Sequence, residues 1–436
     1  MAEIMDLKNA GRADGYRYAV YTHQLVSPDG IAYPRCFIVI KSAYNVIVYF
    51  TKLHQFVGVY EGSVYRPLSS DARERMIYIT QMLNYIIIDH KPVYRIDHVF
   101  RITKDMLLAF FMDYALKEKK AGGHRGCQDV EKCIIAVTGF FSRLCRKYPG
   151  YTAVSRNELY SDKKVLTRYG RQRLVSVPDF QVPVIPEPKE IFRDIPTKVF
   201  QILMNLAVRY DPDIAFAMAL QAFAGLRPGE VMNVRQESSP KGPGIRLTWR
   251  GKKLVRADID LTHEYAMRSD AVSCGSIKKE RTAHVYPPFL DAFQRMYSLH
   301  KERLSRAAYE KDFCPMFVNS RGMAMTYEIY YNRFVSLVTD RLRPVLLAHE
   351  DPECRIYGQL LYENSLGPHS LRHWFSVQLA LRGEDVAQLQ FWRGDKNPES
   401  AFRYLQNKGD LIRELEATNE LLARALMKEG ENIFEA

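Results

Sequence analysis

The chain lacks paired cysteines, long apolar runs and an excess of acidic charge, and each shortage removes a class of protein. Its seven cysteines, at 36, 127, 133, 145, 274, 314 and 354, include no Cys-x-x-Cys pair. An odd, scattered set argues against a disulfide scaffold and a zinc site, and for a reducing interior. Cys127, Cys133 and His124 come nearest to a ligand set, but buried thiols on a helix are the plainer reading, so no metal and no cofactor is expected. The greasiest stretch, 37–50, is broken by Lys41, Ser42 and Asn45, far short of the ~20 apolar residues of a membrane span. The opening Met-Ala-Glu-Ile-Met-Asp-Leu-Lys has neither a basic start nor an apolar segment after it, so no secretion signal is expected. Gly122-Gly-His-Arg-Gly126 lacks the spacing and preceding strand of a dinucleotide site, and reads as a helix connector. There is no repeat and no low-complexity tract.

What remains is a globular chain with a basic surplus. A length of 436 residues predicts two or three domains. Hydrophobic residues at 47% and charged residues at 26% are those of a folded, water-facing protein. Against 50 acidic residues stand 62 basic ones, a formal charge of +12, which suits a polyanionic partner such as nucleic acid.

Along the chain, residues 1–68 form an N-terminal region. Strand-like runs at 16–21 and 33–40 flank the turn signal Ser27-Pro-Asp-Gly30, so a hairpin is expected there. Residues 69–150 read as a helical domain. Met76, Ile79, Leu83 and Ile86 recur at helical spacing, Thr103 caps a segment carrying Leu107, Phe110 and Phe111, and Ile134, Val137, Phe140 and Leu144 continue the pattern. Residues 151–189 read as a linker, where Lys163, Lys164, Arg168, Arg171 and Arg173 are followed by Pro178, Pro183, Pro186 and Pro188. Prolines at that density keep a segment extended; the basic residues then form a strap along a phosphate backbone or merely a solvated connector. Residues 190–408 are mostly helical around a strand-like region at 240–287, with Ile245-Arg-Leu-Thr-Trp249 as its clearest strand. Residues 409–436 carry Leu411, Leu415, Leu422 and Leu426 on or near one helical face.

Three segments of the 190–408 region bear reactive groups. Ala224-Gly-Leu-Arg227-Pro-Gly-Glu230 places an arginine where an apolar helix ends and Pro228 can open the next. That arginine either offers its fork of donors to an anion, oriented by Glu230, or forms a structural pair with it. In His369-Ser-Leu-Arg372-His373 the spacing puts the three basic side chains on one helical face. His373 is the better candidate of the two histidines for a satisfied core position. Tyr404 follows Asn397-Pro398, a cap and first-turn pair, and so sits on a short helix. A phenol titrates near pH 10 and attacks poorly alone, whereas cationic neighbours favour the phenolate and absorb charge on pentacoordinate phosphorus. Two arginines to clamp a phosphodiester, a histidine to handle a proton and a tyrosine to attack phosphorus suit DNA cutting and rejoining.

From about 190 to 408 the chain resembles the tyrosine recombinase (phage integrase) family of bacterial type. Arg227 with Glu230 matches that family's Gly-Leu-Arg-x-x-Glu segment, and His369 with Arg372 matches its His-x-x-Arg helix. Tyr404 follows at the nucleophile's usual distance. The resemblance implies a mainly α fold with a small β-sheet, in which the helical region at 69–150 is a core-binding DNA-binding domain and residues 190–408 are a mixed α/β catalytic domain. It also implies a hairpin lysine as general acid. Counting back from Val285-Tyr-Pro287 selects Lys279, and Lys278 would face the other side of a strand, as a backbone contact.

One position departs from the pattern. Nine residues before Tyr404 the family has His or Trp in a Leu-Gly-His-like turn, and this chain has Arg393-Gly394-Asp395. An ionised Asp395 cannot donate a hydrogen bond to a phosphate; it would orient Arg227 or Arg372 or cap the turn, with Trp392 or His369 as donor. The resemblance further implies double-stranded DNA attachment or recombination sites as partners, a homotetramer on paired sites with a Holliday-junction intermediate, and accessory DNA-bending or directionality proteins. It implies a bacterial cytoplasmic setting without membrane, an N-terminal region of arm-binding or accessory type, and a C-terminal helix docking between subunits. A type IB-like topoisomerase or telomere resolvase, and a DNA-binding regulator with a degraded site, are the rival readings.

Overall fold

The computed structural model describes residues 15–58, 70–118, 124–166, 172–184 and 194–395, with the backbone alone at Ser70, Val165, Leu166 and Arg173. Tyr404, Arg168, Arg171 and the segment 409–436 therefore lie outside the described residues. The chain divides into two compact units, Met1–Glu190 and Ile191–Ala436. Among the described residues no helix is long and apolar enough to cross a membrane. The architecture of these residues is mainly helical, with three small antiparallel sheets among them.

In the first unit the expected hairpin forms, and a third strand joins it. Strands β1 (Arg17–Val26), β2 (Ala32–Lys41) and β3 (Ile47–Phe50) lie side by side in chain order. Among the described residues its α-helices are α1 (Ser70–Leu83), α2 (Lys91–Tyr94), α3 (Lys104–Leu116), α4 (Cys127–Lys147) and α5 (Arg156–Leu159). Thr103 accepts from the Met106 amide at 3.5 Å and caps α3 as its sequence predicts. On α4 the buried face is Val130, Cys133, Val137, Phe140, Phe141 and Leu144, a stripe at helical period. Sheet and helices share one core, in which Tyr18, Ile38 and Ile40 meet Met76, Ile79, Phe111 and Phe140.

The basic stretch expected to be an extended linker folds instead. β4 (Tyr160–Leu166) pairs antiparallel with β5 (Gln172–Pro178). The physical reason is the run Leu174-Val-Ser-Val177, whose β-branched residues favour a strand. Lys163 and Lys164 are exposed on β4.

The second unit is built around α7 (Pro212–Ala224), on which every residue from Ile214 to Ala224 is buried. A helix apolar all round needs covering on all sides, and α6 (Thr197–Tyr210), α9 (Leu290–Arg306), α10 (Tyr327–Leu337) and α13 (His369–Leu381) contribute to the same core. The short α8 (Pro228–Val231) follows α7 directly. Strands β6 (Ile245–Arg250), β7 (Lys253–Leu261) and β8 (Arg281–His284) form the sheet, and β7 lends Leu254, Ala257, Ile259 and Leu261 to the core. The remaining helices are α11 (Arg343–Leu347), α12 (Pro352–Glu363) and α14 (Val386–Arg393).

Candidate active site

Arg227 owes its position to the way α7 stops. Gly225 adopts a left-handed conformation (φ 62°), and a Cβ there would stand 2.6 Å from the Phe375 ring of α13, so only glycine closes this helix without strain. Two residues on, Arg227 is extended and Pro228 opens α8. Glu230 then folds back: one carboxylate oxygen accepts from the Arg227 amide at 2.9 Å, the other from its guanidinium at 2.8 Å. Arg281, at the start of β8, donates to both oxygens of the same carboxylate at 2.9 Å. Glu230 is fully buried. Burial alone would raise its pKa, but Arg281 and then Arg227 outweigh that and hold it down at about 2.

Arg372 enters from the first turn of α13 and is 1% exposed. One guanidinium nitrogen donates to the Gly225 carbonyl; the other donates to the Arg393 carbonyl at 3.0 Å and to Asp395 Oδ1 at 2.7 Å. Arg227 Nη2 donates to that same Oδ1 at 2.8 Å. Asp395 Oδ2 meets Arg393 Nε at 3.0 Å. One carboxylate therefore joins three arginines, two of them through a single oxygen. Burial, then the cations of Arg227 and Arg393, push the Arg372 pKa down to about 9, while Asp395 and Glu230 oppose them. These carboxylates let the cations sit together in a buried cluster.

A second polar link fixes the relation of the two arginine-bearing segments. Gln221, buried on α7, donates to the Pro368 carbonyl at 3.1 Å and accepts from the Tyr330 hydroxyl at 2.5 Å. Pro368 immediately precedes α13, so the end of α7 and the start of α13 are tied beside the arginines.

The other predicted residues fall around this cluster in different ways. Lys278 and Lys279 occupy a bend before β8, not the strand itself, because β7 ends at Leu261 opposite Arg281 and offers no earlier partner. Alternation along a strand therefore does not distinguish the two lysines. Lys278 is exposed and Lys279 half-buried, and the Lys279 carbonyl accepts from Arg281 at 3.3 Å. The loop before them, at Gly275, runs against Gly229 of α8 so closely that a Cβ on Gly275 would strike the Gly229 backbone. His369 is exposed at the start of α13. His373, half-buried, meets Asp194 through Nε2. Trp392 packs edge-on against Tyr286, with ring centroids 5.0 Å apart.

No family model matches the chain, and no curated protein is similar to it in sequence. Solved structures are. The XerH site-specific recombinase bound to palindromic difH substrate has a TM-score of 0.47 at 15% identity, over 80% of this chain and 81% of that one. The Tn1549 transposon integrase with a circular intermediate DNA has 0.48 at 14% identity, over 83% and 99%. A lambda integrase dimer bound to a core site has 0.43 at 12% identity, over 81% and 92%.

Two residues of the cluster, Arg281 and Arg393, were not singled out in the sequence. Each pairs with a carboxylate that was, and no spacing rule links them to it: Arg281 lies 51 residues from Glu230. For Arg393 the only local signal is an opposite charge two residues on, in Arg393-Gly-Asp395.

Proposed function

We propose that the protein is a site-specific DNA recombinase or integrase that cleaves and rejoins DNA through a 3′-phosphotyrosine intermediate and moves a mobile genetic element. The observation that carries this reading is the convergence of Arg227 and Arg372 on one anionic oxygen, although they lie 168 and 23 residues from Asp395 in the chain. Paired guanidiniums of that kind bind phosphodiester oxygens and stabilise the charge that builds on phosphorus.

In the proposed reaction the Tyr404 oxygen attacks the scissile phosphorus, and the bond from phosphorus to the 5′ oxygen breaks. Lys279 protonates the departing oxygen and His369 assists proton transfer at the nucleophile. The released 5′ hydroxyl of a partner duplex then attacks the phosphotyrosine and restores the phosphodiester. The linkage keeps the phosphoester's energy, so no nucleotide is consumed. Four protomers on paired double-stranded sites belong to the same proposal, with Lys163 and Lys164 as backbone contacts.

A DNA duplex nicked just beyond the scissile phosphate loses its short 5′-hydroxyl fragment on cleavage and traps the adduct. Covalent protein on the 3′ side of the break, mapped to Tyr404, is the expected result. The position of Asp395 favours one second reading, a DNA-binding regulator whose arginine site is filled by its own carboxylate. That reading requires DNA retention with no adduct in the same experiment.

A further inference from the structure

We infer that Asp395 is a displaceable occupant of the arginine pair, and that Arg393 is the station to which its carboxylate retires when a phosphate takes its place. The inference rests on the reading above that Arg227 and Arg372 receive a phosphodiester.

Three observations carry it. Asp395 Oδ1 accepts from Arg227 at 2.8 Å and from Arg372 at 2.7 Å, as an oxygen of a bound phosphate would. The carboxylate thus holds the contacts that the substrate needs. A phosphate entering while Oδ1 stayed would put two anions side by side against a guanidinium that is 1% exposed, and like charges in a desolvated site repel strongly. The second carboxylate oxygen, Oδ2, is already on Arg393 Nε at 3.0 Å. Asp395 can therefore leave the first two arginines and stay paired.

Arg393 is itself buried, at 6% exposure, and its carbonyl receives Arg372 at 3.0 Å. It is the last residue of α14, followed by Gly394 at φ 64°. Helix and turn fix the station, and rotation of one short side chain makes the exchange. Without DNA the two guanidiniums are held apart from stray anions by their own counter-ion. With DNA the same counter-ion moves one partner away. Arg393 is on this view a positioning residue: it acts on phosphate only through Asp395.

The test is titration of the full-length protein with inorganic phosphate by calorimetry, which needs neither DNA nor cleavage. Removing the occupant in Asp395→Asn should tighten phosphate binding, and removing its station in Arg393→Met should weaken it, each by about tenfold, a usual size for coupled binding events. In the Asp395→Asn background, Arg393→Met should have little further effect, since no carboxylate remains to be received. Arg393→Gln serves if Arg393→Met does not fold, as judged by melting. Equal weakening by Arg393→Met in both backgrounds would make Arg393 a simple distant charge and overturn the exchange, as would Asp395→Asn binding no tighter than the parent. Phosphate binding that survives Arg227→Ala unchanged would place the anion elsewhere and overturn the exchange, whereas the recombinase reading stands or falls separately on the covalent adduct with the nicked duplex.

Discussion

Glu230 receives Arg281 through both of its oxygens, at 2.9 Å each, while the same oxygens hold the backbone amide and the side chain of Arg227. A bidentate arginine bonds a carboxylate more strongly than neutral donors do and fixes its orientation. Here it orients a carboxylate that in turn orients a second arginine.

This arrangement sets a pH dependence. The Glu230 carboxyl, ordinarily near 4.5, is held at about 2 in the folded chain. A depressed carboxyl stabilises the fold above its unfolded pKa, and that contribution is lost as pH falls toward the folded value. Denaturant unfolding of the parent and Glu230→Gln, compared from pH 7 down to pH 2, should give two stability curves that run parallel above about 4.5 and converge below it, each unit of depression being about 1.4 kcal/mol. Curves that run parallel through that window would show that Glu230 carries no such linkage.

Tyr404→Phe should abolish the covalent adduct and leave DNA affinity nearly unchanged, because only the phenolic oxygen is lost. Gel separation of adducts, beside a binding titration on the same duplex, measures both. Adduct formation by the variant would move the nucleophile to another residue.

Arg227→Ala and Arg372→Ala should each slow cleavage at least a hundredfold, since one donor to a charged transition state contributes about 3 kcal/mol. They should differ in stability. Arg227 keeps 21% of its side chain exposed, whereas Arg372 keeps 2% and donates to two backbone carbonyls. The Arg372 variant should therefore melt distinctly lower, and equal melting temperatures would contradict its structural share.

Replacing Lys279 by alanine should slow cleavage of ordinary DNA but not of a substrate with a 5′-bridging sulfur, a leaving group that needs no proton. Single-turnover rates on the two substrates give the comparison. Rescue of Lys278→Ala alone would assign the general acid to its neighbour, since both lysines lie in one bend.

How much of this was legible in the chain depends on how local the signal is. Arg227 and Glu230 are three residues apart, and their pairing is the one that spacing predicts. Arg372 follows from its place on the first turn of α13, and the apolar run of α7 from its composition. Asp395 stood in the sequence as a departure with an arginine partner among its uses, and the structure gives it three such partners. Arg281 was beyond reach, because an arginine opening a four-residue strand looks like surface charge until the sheet places it on Glu230. The hairpin β4–β5 was hidden by prolines that begin only at its far end. Helix α14 has only a short signal in the chain, the reciprocal cap of Asp385 and Gln388 at its start, which spans four residues.

Gln221 gives the arginine pair a history. Its amide joins α7 to the residue before α13 and to Tyr330 of α10, so three segments distant in sequence are tied together beside the place where Arg227 and Arg372 meet. Crowding two like charges is then a cost met once, when the chain folds, and offset by the burial of the core around α7. An anion arriving later would find the cations in place. A polar side chain that touches neither arginine thus helps the fold itself, ahead of any ligand, to hold the two guanidiniums side by side.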